Sequence, residues 1–144
     1  MLTTILVLAL ASATMPAAMQ PAFTTVADGQ ASGIEEPKEI VVKTEAEWKV
    51  LWQQHSAGQK MPAVDFGKST VAAIFLGTRN TGGHRVLVTA VTREGADVIV
   101  TWNEEQPGAG LMVTQALTSP FHIVRFDKTT GVVKFKKGPT TTAK

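Results

Sequence analysis

No cysteine occurs among the 144 residues. Disulfides, thiolate metal sites, a cysteine nucleophile and a lipid anchor on cysteine are therefore excluded. Tyrosine is absent too, and aromatic residues make up only 6% of the chain. Charge of one sign is equally scarce, with a formal net charge of +2. A nucleic-acid binder needs a basic stripe interleaved with stacking aromatics. The densest lysines, Lys128, Lys134, Lys136 and Lys137, read instead as a solvated rim on a β-edge, so no nucleic-acid partner is expected.

Catalytic patterns are also missing. No Gly-x-Ser-x-Gly elbow is present. Ser119 and His122 are close in sequence, but Pro120 intervenes and both fall at a strand start, a poor setting for a nucleophile and its base. Glu104 and Glu105 are adjacent and point to opposite faces of a strand, so they cannot act as a paired-carboxylate site. Gly82-Gly83 leads into a strand rather than a helix N-terminus, so nothing there cradles a phosphate. The expectation is a non-enzyme without a cofactor.

The N-terminus carries an apolar run, Ile5 to Leu10, extended by Leu2 and followed by Ala11-Ser12-Ala13. The run is too short to span a bilayer comfortably and its flank suits a signal peptidase. No Lys or Arg precedes it, an atypical feature. Residues 1–19 are expected to be a signal peptide, cut after Ala13 or near Met19. The mature chain is then exported (periplasmic, secreted or at the cell surface), with no stable membrane insertion after cleavage. Residues 20–36 read as a flexible linker, 37–137 as the folded domain and 138–144 as a disordered tail. A core of about 100 residues is large enough to fold without staples.

Within the domain, Lys38 to Lys43 is a short β-type run. Thr44 and Glu47 form a capping box, and Trp48, Leu51, Trp52 and His55 share one face of the helix that follows. Gly58 ends it. Thr70 to Leu76 is apolar on both faces, as a central strand would be. His84 to Arg93 alternates until Val91 falls out of phase, which predicts a β-bulge near Thr89 or Ala90. Glu94-Gly95 turns this strand into Ala96 to Asn103, making a hairpin. Phe121 to Phe126 and Val132 to Lys137 are expected to form a second hairpin across residues 127–131. The fold class is α+β, mainly β: an antiparallel sheet or small sandwich with one amphipathic helix packed near the N-terminal side.

Two connections stand apart. Gly77 to Gly83 carries three glycines between apolar strands. The second opens at Gln106 and runs to Pro120, with Leu111, Met112, Val113 and Leu117 too apolar for an ordinary solvated loop. These residues either plug the core or face a partner. The segment from Phe66 to Val124 resembles the C-terminal domain family of the protease complex subunit PrcB. The likeness rests on Gly77-Thr78-Arg79-Asn80-Thr81-Gly82-Gly83-His84, on residues 107–117 and on Thr118-Ser119-Pro120-Phe121-His122-Ile123-Val124. His84 stands where that family tends to carry Tyr, so a role of that Tyr does not transfer. The resemblance implies a non-catalytic component of a surface protease complex.

Three functional readings follow. The first is protein binding, with a protease as the candidate partner, through Thr78, Arg79, Asn80, Thr81, Gly82, Gly83, His84, Pro107, Gly108, Gly110, Leu111, Met112 and Gln115. The loop style is also similar to that of chagasin-like inhibitors of cysteine peptidases, which makes inhibition a sub-hypothesis. The second is a structural envelope domain whose loops close only its own core. The third is weak metal binding by His84 and His122, a thin signal without a spaced carboxylate or cysteine.

Overall fold

A computed structural model describes residues 22–143. The expected signal peptide, residues 1–19, lies outside them. In chain order the elements are β1 (Thr24–Gly29), β2 (Lys38–Val42), α1 (Glu45–Ser56), β3 (Ser69–Phe75), β4 (Arg85–Glu94), β5 (Asp97–Gln106), β6 (Phe121–Asp127), β7 (Val133–Lys137) and β8 (Thr141–Thr142). One sheet has the order β1-β6-β3-β2, antiparallel throughout. The second pairs β4 antiparallel with β5, and β5 parallel with both β7 and β8.

The period-2 alternation of β3 explains the layering. Val71, Ala73 and Phe75 pack with Trp48, Leu51 and Trp52 of α1, while Ala72, Ile74 and Leu76 pack with Val98, Val100 and Trp102 of β5. The central strands of the first sheet, β3 and β6, are thus buried on both faces, between the helix and the second sheet. That is why both read as continuous apolar runs. The helix starts where the capping box predicts: the Thr44 side chain accepts from the Glu47 N–H. Trp48, fully buried, donates its indole N–H to the Pro62 carbonyl at 2.9 Å. The bulge is present, between Val88 and Ala90, and it returns Val91 to the core face. The α+β, mainly β class is what the chain adopts.

Three expectations are corrected. Phe121 to Phe126 and Val132 to Lys137 do not pair with each other: β6 lies between β1 and β3, and β7 runs parallel to β5 in the other sheet. The reason is burial. Phe121 to Val124 are all buried, so this strand needs neighbours and cover on both faces, and a two-stranded hairpin supplies neither. Second, part of the expected linker is structured: Thr24–Gly29 is an edge strand on β6, and Ile34 is buried against the helix cluster. Its residues are half or fully exposed, leaving little hydrophobic signal. Third, Thr141–Thr142 of the expected tail pair with Glu105 and Gln106 of β5. Backbone bonds order both segments where side chains give no cue.

Candidate functional site

The two glycine-bearing loops meet. Arg79 and Thr118 exchange both backbone hydrogen bonds, at 2.8 and 2.9 Å, and the Gly82 N–H donates to the Thr114 carbonyl at 2.8 Å. The Thr118 hydroxyl donates to the Thr81 carbonyl. Gly83 sits at φ +88°, where an added Cβ would lie 2.9 Å from Pro107 Cβ and from Val113 Cγ1. Only glycine allows this approach together with a left-handed backbone. The arm between β1 and β2 closes the assembly from a third side. Ser119 pairs with Gln30 and Ser32, and the Thr78 N–H donates to Glu35 at 3.1 Å.

Beneath the loops, Arg79 grips Glu104 at both ends of its carboxylate, with Nε 3.0 Å from Oε1 and Nη2 3.2 Å from Oε2. Nη1 donates to the carbonyls of Leu76 and Thr78. His84 Nδ1 lies 3.5 Å from Glu104 Oε1, and Lys137 Nζ 4.0 Å from Oε2. Burial alone would raise the Glu104 carboxyl. The hydrogen bonds and charge of Arg79, with smaller help from His84 and Lys137, outweigh it and hold the group below its usual range. The guanidinium is committed to bracing the loop, so Arg79, expected to face a partner, faces inward. Sequence reading missed Glu104 as its counter-ion. The signal was there: Val98, Val100, Trp102 and Glu104 share one side of β5, so an acid on that side needs a cation.

The remaining residues divide by exposure. Thr78, Asn80, Gly110, Leu111, Met112 and Gln115 are exposed; Thr81, Gly83, His84, Pro107 and Gly108 are half-buried, and Gly82 is buried. Met112 is 100% exposed, Leu117 72% and Leu111 45%. These three do not plug the core. Val113 turns back towards Gly83. Leu117, absent from the expected contact residues, is exposed as well.

The histidines have separate duties. The Val88 N–H donates to His122 Nδ1 at 3.0 Å, and His122 Nε2 bonds Thr25 Oγ1 at 2.9 Å. A ring accepting at Nδ1 carries its proton on Nε2 and is neutral. Burial pushes its pKa down; nearby Asp28 opposes and Arg85 assists. His84 and His122 are therefore engaged by different groups, and no cluster of three or more metal-ligating side chains occurs among the described residues. His55 and Ser32 share a 2.8 Å hydrogen bond, a contact the sequence did not suggest. Both are buried, and the ring packs edge-on against Phe121 at 4.2 Å between centroids. Their bond clasps the arm to α1.

A cleft beside the loops is lined by Lys38, Glu39, Arg79, Trp102 and Lys137. Glu39 there accepts from the Trp102 indole N–H at 2.8 Å, and Arg79 holds Glu104. Among the described residues no helix is long and apolar enough to cross a membrane.

No curated protein and no solved structure matches the chain. Residues 70–127 match the family model described as PrcB C-terminal, a span running from β3 through β6 and including both loops. Over that segment the chain is similar to the PrcB C-terminal family, as its loop motifs indicated.

Proposed function

We propose that this chain is a non-catalytic protein-binding domain, exported from the cytoplasm, that serves as an accessory or stabilising component of an envelope or secreted protease. The observation that carries this reading is the joined pair of loops with Leu111, Met112 and Leu117 left exposed on the second of them. Large apolar side chains left exposed on a braced connection are the usual mark of a contact surface. The similarity to the PrcB C-terminal family supports a protease complex as the setting. The non-catalytic part of the proposal is supported by the commitment of Arg79, Glu104, His122 and the Ser32–His55 pair to structural bonds.

Affinity capture from an envelope fraction, followed by identification of co-purifying peptidases, tests the reading. The double variant Leu111→Ala/Met112→Ala should fold with stability within about 0.5 kcal/mol of the parent, because both side chains face solvent. It should lose the captured peptidase. Undiminished capture by the folded double variant, or no peptidase captured by the parent, removes the proposal.

A further inference from the structure

β2 lies at the outer end of its sheet, where only β3 pairs with it among the described residues. The direction of its free backbone groups follows from its neighbours. The Leu76 N–H donates to the Pro120 carbonyl, and the Lys128 N–H to the Lys68 carbonyl. Even-numbered residues of β3 therefore turn their backbone groups towards β6, and odd-numbered ones towards β2. Val71, Ala73 and Phe75 lie opposite Val42, Ile40 and Lys38, so these three spend their bonds on β3. The backbone groups of Glu39 and Val41, and of Lys43 just beyond the strand, point to the open edge.

Side chains along this edge sort into two faces. Ile40 and Val42 join the cluster beneath α1. An apolar groove runs beside them, lined by Ile40, Val42, Ala46, Val50 and Leu51, and Val50 is 57% exposed. On the opposite face Glu39 bonds the Trp102 indole, and Lys43 donates to the Gly131 carbonyl at 2.9 Å. A carboxylate offers about four acceptor sites and an ammonium about three donors, so both keep capacity for a further partner. On β7, by contrast, Lys134 and Lys136 blunt the edge.

A second copy of this chain fits the β2 edge in one register. The backbone directions require Glu39, Val41 and Lys43 to meet the same three residues of the copy. With Val41 opposite Val41, Glu39 falls opposite Lys43 at both ends, and Ile40 falls opposite Val42. A shift by two positions loses a pair and sets Glu39 or Lys43 against Val41. Pro37, the next outward position, has no N–H and ends the ladder.

We propose that β2 is a homodimer edge. Two copies pair antiparallel about a two-fold axis at Val41, joining two four-stranded sheets into one. Both helices then lie on one face of the joined sheet, and the grooves beside Val50 close against each other. The dimer is independent of the loop-based binding reading above.

Sedimentation equilibrium of the full chain tests it. A three-pair ladder with an apolar flank is a small interface, so the average mass should approach twice the monomer's only above about 100 μM. Glu39→Lys and Lys43→Glu each set like charges opposite one another at both ends, and each should weaken association about tenfold or more. Mixed in equal amounts they should dimerise again, because every Lys then faces a Glu. Val41→Pro deletes an outward N–H without touching the β3 bonds. It should stay folded by circular dichroism and remain monomeric, and it decides the matter if a charge variant fails to fold. A parent that is monomeric at about 1 mM overturns the inference. So does association that the folded variants leave unchanged, or a mixture of the charge variants that associates no better than either alone. A monomeric parent whose peptidase capture is lost in Val41→Pro gives the edge to a strand of that peptidase, and overturns the dimer as well.

Discussion

Arg79 and Glu104, 25 positions apart, meet as a two-pronged ion pair that ties the first glycine loop to the inner face of β5. Glu104 is nearly buried, at 5% side-chain exposure, while Arg79 keeps 29%. Removing the arginine leaves a buried carboxylate without its fork. Arg79→Ala should lower stability by about 2 kcal/mol, below the range for fully buried pairs because the cation is partly solvated. Arg79→Lys should recover only part of this, since an ammonium cannot span both oxygens. Urea midpoints measure both; an unchanged midpoint for Arg79→Ala would show that the pair stabilises nothing.

Acid should weaken the fold in two stages. Burial pushes His55 down, and burial, opposed by Asp28 and aided by Arg85, pushes His122 down, each from an ordinary 6.5. The unfolded chain then binds protons that the folded chain refuses, so stability is full above about pH 6.5 and falls as pH drops towards the folded values. Protonation of His122 at Nδ1 also opposes the Val88 N–H that it accepts. Glu104 acts later. Its folded pKa lies below an ordinary 4.5, so its contribution is present above that value and is lost as pH falls through the folded pKa. Denaturant titrations at pH 7.5, 5.5, 4 and 3 should show both declines. A flat profile between pH 7.5 and 5.5 would contradict the buried neutral histidines.

Gly83 and Gly95 separate backbone strain from crowding. Both have positive φ, at +88° and +63°, but an added Cβ meets Pro107 and Val113 at Gly83 and nothing within 4 Å at Gly95. Gly95→Ala should cost about 1 kcal/mol, the left-handed penalty alone. Gly83→Ala should cost about 2 kcal/mol or more and should raise exchange at the Gly82 amide by prying the loops apart. Equal losses at both positions would refute the close approach.

The helix can be probed at its cap and its anchor. Thr44→Ala removes the acceptor of the Glu47 N–H and should cost about 1 kcal/mol. Trp48→Ala opens a cavity under a side chain of 0% exposure and should cost about 4 kcal/mol. Thermal or urea unfolding checks both, and a Trp48→Ala loss no larger than that of Thr44→Ala would argue against α1 as a covering layer.

Patterns along the chain were enough for α1, β3, the β4–β5 hairpin and its bulge, because each is written in the spacing of neighbouring residues. The three-and-four spacing of Trp48, Leu51, Trp52 and His55 names a face, and the phase slip at Val91 names a bulge. The glycines of residues 77–83 and the apolar excess at Leu111 to Leu117 were equally plain as oddities. Periodicity fixes which side of a strand is apolar; it is silent on which strand lies alongside. That is why β6 and β7 read as a hairpin, although they occupy different sheets.

Amino-acid order alone settled α1, β3 and the β4–β5 hairpin, the lack of thiol chemistry and the existence of two unusual loops. Tertiary structure decided that those loops share a backbone ladder, that Arg79 turns inward to Glu104, and that Leu111, Met112 and Leu117 stay in water. The division has a physical cause. Local structure follows from sterics and hydrogen bonds within a few residues, whereas the Arg79–Glu104 and Arg79–Thr118 contacts require distant segments to be brought together by burial of the core.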